Sequence, residues 1–195
     1  TSAVGMPAAG ISAAGLPAAG ERSALDVIAT RTSVRAYRDC PVGADTVELL
    51  LRAAMAAPSA MNRQPWVFVV VDDKALLQKF ADSLQYAKMA ASAPLAVVVL
   101  GDTAASDLWR VNAAISATVL QLACVDEGLA SCWVHVDGRP RRKDDPEGER
   151  AADYLRTFLP IPEGCEPLCA VALGYSDFRP APLPAADDEV RIIRL

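Results

Sequence analysis

A chain of 195 residues with 52% hydrophobic side chains carries enough apolar surface for one well-formed domain, which excludes a largely disordered protein. Its net charge of −5, from 24 acidic against 19 basic side chains, argues against broad nucleic-acid binding, because phosphate contacts need a basic surface. No stretch approaches the ~20 unbroken apolar residues of a membrane span, so a cytoplasmic protein without a membrane partner is expected.

Residues 1–20 stand apart as an N-terminal arm rich in alanine, glycine and proline. Gly5-Met6-Pro7-Ala8-Ala9-Gly10 is echoed by Gly15-Leu16-Pro17-Ala18-Ala19-Gly20, and no charged side chain precedes Glu21. Glycine and proline at this density interrupt helix and strand alike. The arm lacks the basic start and continuous apolar centre of a secretory signal, and reads as a flexible tail or as an arm packing on a second subunit. Residues 21–195 form one domain. A short helix is expected over 23–29, then a stronger one over 45–57 with Val47, Leu50, Leu51, Ala54 and Met55 on one face, halted by Pro58. Trp66–Val71 reads as a strand buried on both faces. A helix over 73–91 leads to a second buried strand over 95–100. A long helix over 103–127 is expected to bury Leu108, Val111, Ile115, Val119 and Leu122, with Gly128 as its C-terminal cap. A third strand over 132–136, a solvated and mobile charged loop over 137–149, a helix near 150–158 and a strand over 168–174 precede a proline-rich tail. Strands alternating with helices imply an α/β or α+β layered domain.

The chemistry is bounded by a single histidine, which excludes a multi-histidine metal site within one protomer. His135 lies in the apolar run Ser131-Cys132-Trp133-Val134-His135-Val136 and reads as a strand-end imidazole with one hydrogen bond. The five cysteines are odd in number and irregularly spaced, as expected of reduced thiols rather than a disulfide framework, and no metal site is expected. No Gly-x-Gly-x-x-Gly follows a strand, so a dinucleotide fold of the usual kind has no support. Two clusters remain. In Arg31-Thr32-Ser33-Val34-Arg35, two arginines flank hydroxyl side chains, a set that can hold a phosphate bidentately; solvated surface arginines are the plainer reading. In Pro58-Ser59-Ala60-Met61-Asn62-Arg63-Gln64-Pro65-Trp66, small residues would let a flat ring approach the backbone, while Asn62 and Gln64 offer donors and acceptors. Ordinary turn chemistry would explain the same segment.

Taken together these blocks resemble the nitroreductase family of FMN-dependent oxidoreductases. The resemblance rests on Arg31 to Arg35 and on Pro58-Ser59 through Asn62-x-Gln64-Pro65-Trp66, and it continues in Lys88-Met89, Trp109 and Gly128-Leu129-Ala130-Ser131-Cys132-Trp133. It ends with Ala172-Leu173-Gly174-Tyr175. It implies an α+β fold with a central, mostly antiparallel sheet wrapped by helices, in an intertwined homodimer with FMN at the interface. Carried over by position, Arg31, Thr32, Ser33 and Arg35 would hold the phosphate and ribityl chain and reach the pyrimidine edge. Pro58, Ser59, Ala60 and Asn62 would come from the partner subunit and pack around the ring. Gln85 and Lys88 would face N3, O2 and N1, and the backbone of Trp133, Val134 and His135 would run past N5. The implied activity is hydride transfer from NAD(P)H through flavin N5 to an electron-poor small molecule, a nitroarene or quinone, by a ping-pong mechanism. No protein acid or base is required. A specialised relative, such as a reductive dehalogenase or a dehydrogenase, and a flavin-binding protein without turnover are the alternatives. The chain departs from the family pattern at Asn112, where many relatives carry an acidic residue. It departs again in the tail, where a basic pair is absent and Arg179 or Arg191 would have to substitute, and in the arm over 1–20.

Overall fold

The computed structural model describes residues 22–84, 86–178 and 193; the arm over 1–20 and most of the proline-rich tail lie outside these residues. Two apolar runs form the centre of the sheet, β2 (Leu95–Asp102) and β6 (Cys165–Gly174). With β1 (Trp66–Val71) and β3 (Ala130–His135) they make a four-stranded sheet in the order β1-β2-β6-β3. Every pairing is antiparallel, so the fold is α+β as expected. Because side chains alternate across a strand, β2 feeds two cores. Ala96, Val98 and Leu100 face one layer with Leu77, Phe80 and Leu155, whereas Leu95, Val97 and Val99 face another with Leu50, Trp109 and Leu120.

The first layer is built by α3 (Lys74–Ala81) and α5 (Ala151–Arg156), the second by α2 (Ala44–Met55) and α4 (Trp109–Asp126). The short α1 (Ala24–Thr30) starts in a capping box in which Ser23 and Asp26 satisfy each other's backbone. Helix α4 lies close on the sheet because β2 carries Gly101 beneath Trp109. A Cβ there would come within 2.5 Å of the indole. Gly128, at φ +73°, ends α4 as expected, in a conformation that costs glycine little.

Four sequence expectations are corrected. β1 is an edge strand rather than one buried on both faces, and its Val70 is 39% exposed. The helix over 73–91 is two pieces: α3 stops at Ala81, and a 3-10 turn, Lys88–Ser92, follows. The break falls at Ser83, whose buried hydroxyl donates to the Phe80 carbonyl, and no glycine or proline signals it. The charged loop over 137–149 is an exposed hairpin, β4 (Pro140–Arg142) with β5 (Asp145–Arg150), tied by the Arg141–Glu149 and Arg142–Asp144 pairs. Helix α4 starts at Trp109, after a turn capped by Asp102, and buries a different face from the expected one. The buried residues are Trp109, Asn112, Ala113, Ser116, Ala117 and Leu120, with the next turn following suit. Leu108 and Val111 are 46% and 54% exposed. Close approach to a sheet favours small side chains, so the large aliphatic ones were turned away from it.

Candidate functional site

A cavity of about 1030 Å³ opens where β3, the 3-10 turn, the strand-like segment before Tyr37 and the β4–β5 hairpin meet. Its floor is Trp133, Val134 and His135 of β3, with the Trp133 and His135 rings stacked 6.3 Å apart. Lys88, the first residue of the 3-10 turn, lies on one wall and Arg35 on another. Backbone pairing delivers Arg35: Ser33 bridges Ser131 in parallel, and the Val34 amide donates to the Ser131 carbonyl at 3.0 Å. Val34 is buried, and the Tyr37 hydroxyl lies 2.8 and 3.0 Å from the carbonyls of Val34 and Ala172. That hydroxyl locks the segment onto the sheet, and burial pushes the phenol far above its ordinary pKa.

Leu84, Met89 and Val134 contribute apolar surface, the lining expected of a site for a flat ring. The cavity is also cationic. Arg35, Lys88, Arg139, Arg141 and Lys143 line it, and no aspartate or glutamate does among the described residues. Arg141 is engaged, paired with Glu149 at 2.7 Å and lying 3.5 Å over the Tyr154 ring. Arg35, Lys88, Arg139 and Lys143 have no carboxylate within ion-pair distance among the described residues. Cys132 lines the cavity as a thiol, its pKa raised by burial and partly drawn back by the Arg35 charge.

The second cluster lies elsewhere, between α2 and β1. Ser59 Oγ accepts from the Gln64 amide at 2.9 Å, closing a loop in which Met61, Asn62 and Gln64 all have positive φ. Three non-glycine residues in the left-handed region within four positions store strain. The loop is held from behind by Asn112, whose Oδ1 accepts from the Ala60 amide at 3.1 Å while Nδ2 donates to Ser106 Oγ at 3.2 Å. Arg63 adds a bond to the Ala105 carbonyl at 3.1 Å. Met61, at the tip, is 84% exposed.

Of the sequence-predicted site residues, one cavity therefore collects Arg35, Lys88, Trp133, Val134 and His135. Arg31, Thr32 and Ser33 are partly buried on the approach to β3 and do not line the cavity; Arg31 caps α1. Pro58, Ser59, Ala60 and Asn62 sit in the strained loop, also outside the cavity lining. Gln85, Arg179 and Arg191 fall outside the described residues. Sequence reasoning missed Tyr86, Met89 and Ser92, together with the hairpin cations Arg139, Arg141 and Lys143. The signal was the basic run Arg139-Pro140-Arg141-Arg142-Lys143, which reads as a solvated loop until the hairpin brings it to the cavity that β3 also lines.

The nitroreductase family model matches residues 28–108. An Archaeoglobus fulgidus protein provisionally named NADH dehydrogenase/NAD(P)H nitroreductase is 35% identical over 155 residues, covering 77% of this chain and 84% of its own. A crystal structure of a similarly named Parabacteroides distasonis protein superposes with a TM-score of 0.79 at 31% identity, over 89% of this chain and 98% of that one. An FMN-dependent nitroreductase from Clostridium difficile gives a TM-score of 0.79 at 29% identity, over 88% of this chain and 98% of that one.

Proposed function

Because the chain belongs to the nitroreductase family of oxidoreductases, we propose that it binds FMN in the cavity beside β3. There it carries hydride from NAD(P)H to an electron-poor small molecule, a nitroarene or quinone. The observation that carries this reading is the convergence of Arg35, Lys88 and the Trp133–His135 backbone, distant in sequence, on one apolar-floored cavity of about 1030 Å³. The residues fit the group. A flavin is a flat apolar ring with an edge that becomes anionic on reduction, and Arg35 and Lys88 are cations with no carboxylate of their own among the described residues.

When bound, FMN supplies the hydride chemistry at N5; the protein supplies orientation and charge. In this reading Arg31, Thr32 and Ser33, which lie beyond the cavity lining, would hold the phosphate and ribityl end. Arg35 and Lys88 would hold the N1 and C2-carbonyl edge, where fixed cations, once the bound ring and partner exclude water, would stabilise negative charge. Trp133, Val134 and His135 would present main-chain groups to the N5 edge. Pro58, Ser59, Ala60 and Asn62 close the ring from a second protomer, which accounts for a strained loop that lies outside its own protomer's cavity. The homodimer has a second support along α4 and its N-cap, where Leu108 and Val111 are exposed and Ile115, Val119 and Leu122 are only half-buried. Among the described residues no helix is long and apolar enough to cross a membrane.

The test is direct. Purified protein should be yellow, release FMN rather than FAD on denaturation, and, once reduced, be reoxidised rapidly on adding a nitroarene or quinone. Protein that stays flavin-free after incubation with FMN contradicts the proposal. FMN-loaded protein that no acceptor reoxidises is a flavin-binding protein without turnover.

A further inference from the structure

We propose that the β4–β5 hairpin makes this cavity selective for a ligand bearing an anionic group, a carboxylate or a phosphate, on a flat apolar body. The inference rests on the reading above, in which Arg35 and Lys88 are committed to the flavin edge. The hairpin then contributes a separate set of cations to the same cavity. Arg141 is a buttress, fixed between Glu149 and the Tyr154 ring. Arg139 and Lys143 line the cavity with no carboxylate in ion-pair range among the described residues. The chain as a whole is acidic, at net charge −5. Cations gathered at a concave site in an acidic molecule focus the field and raise the local concentration of anions.

The hairpin base is anchored to the sheet. The amides of Val136 and Asp137 both donate to the Leu168 carbonyl, at 2.9 and 3.1 Å. Arg139 is held on both sides, its amide donating to Val136 and its carbonyl accepting from Ala151, each at 3.0 Å. Arg110 from α4 pairs with Asp137 at 2.7 Å, neutralising the one carboxylate at the root of the hairpin. The guanidinium of Arg139 therefore starts from a fixed base, and the ammonium of Lys143 from the hairpin turn, on the same cavity as the Trp133 ring. An arginine offers a planar fork to a carboxylate or phosphate, and a lysine adds a point charge. Two sources carry this chemistry: an electron acceptor with a carboxylate, or the additional phosphate that distinguishes NADPH from NADH.

Two pairs of probes separate the sources. In the oxidative half-reaction, 4-nitrobenzoate is compared with neutral 4-nitrobenzamide; in the reductive half-reaction, NADPH is compared with NADH. Each pair is measured by stopped flow on the FMN-loaded parent, on Lys143→Gln and on Arg139→Gln/Lys143→Gln. Calorimetric binding of 4-nitrobenzoate and 4-nitrobenzamide, and the flavin content, are measured on the same preparations. The parent should prefer the anionic member in one arm, and that arm names the source. The double substitution should cut that preference about tenfold, as expected for two partly solvated charges, with the single variant in between. Added salt should erode the parent's preference in the same direction. A parent that treats charged and neutral members alike in both arms, or a preference that neither substitution nor salt reduces, overturns the inference. Flavin-free protein that still binds 4-nitrobenzoate over 4-nitrobenzamide upholds charge selection and sinks the flavin reading. Flavin-loaded, charge-blind protein does the reverse.

Discussion

Asn112 ties together what a residue-by-residue view separates. It is 1% exposed, and its amide joins the Ala60 backbone to Ser106. Many family members are expected to place an acid there; a neutral amide performs the same acceptor role towards Ala60 without burying a charge, and its second end donates instead. Removing it leaves the Ala60 amide without its acceptor, so Asn112→Ala should destabilise the fold by roughly 1–3 kcal/mol, read as a shift in denaturant midpoint. It should also loosen the strained loop, making the amides of 59–64 exchange faster. At the other cluster, the roles proposed for Arg35 and Lys88 are separable. Loss of a charge-assisted hydrogen bond to the flavin edge should lower the two-electron potential by on the order of 30–65 mV. Arg35→Met should also weaken FMN binding, because Arg35 belongs to the phosphate block, whereas Lys88→Met should lower the potential with less loss of affinity. Redox titration of the reconstituted variants measures both; a parental potential in each would remove these side chains from that edge.

At the scale of elements, α4 is where periodicity succeeded and side-chain size misled. An aliphatic stripe at helical spacing was legible, and it exists; the expectation that it faced the core was wrong. The buried side instead has alanine, serine and asparagine after Trp109, with Leu120, Cys124 and Val125 only in the later turns, and is tied to α2 by the Ser116 hydroxyl donating to the Ala54 carbonyl at 2.8 Å. Hydrophobic pattern cannot tell a face buried in a protomer from one buried between protomers, since both exclude water. That ambiguity makes a prediction. Val111 is 54% exposed in the protomer, so Val111→Asp should fold, yet weaken self-association by about 3 kcal/mol, roughly a hundredfold in Kd, by burying an unpaired carboxylate. Sedimentation equilibrium against the parent checks it; unaltered assembly would exclude the stripe from the interface. The hairpin failed for the opposite reason. Its strands are charged and exposed, so no alternation of apolar and polar residues marks them, and only the folded cavity, which the hairpin and β3 line together, reveals what the basic run faces.

The whole molecule is a sheet with a helical layer on each face, and its central strands were readable as apolar runs because both faces of β2 and β6 are buried. The site was legible in part. Arg35, Lys88 and 133–135 meet because β3, the segment bridged to it and the turn before β2 come together at one end of the sheet. The loop over 58–64, by contrast, lies outside the lining of that cavity, and in the proposed reading it faces the ring bound by a second protomer. In the proposed assembly two protomers each supply what the other lacks, with FMN between them. Sedimentation velocity of the purified protein at micromolar concentration, recorded both in the protein band and in the visible flavin band, tests this most directly. All flavin absorbance should move with a species of twice the 20.6 kDa chain mass, and no monomer should be seen. Flavin travelling with a stable monomer, or left at the meniscus while the protein sediments, would contradict it.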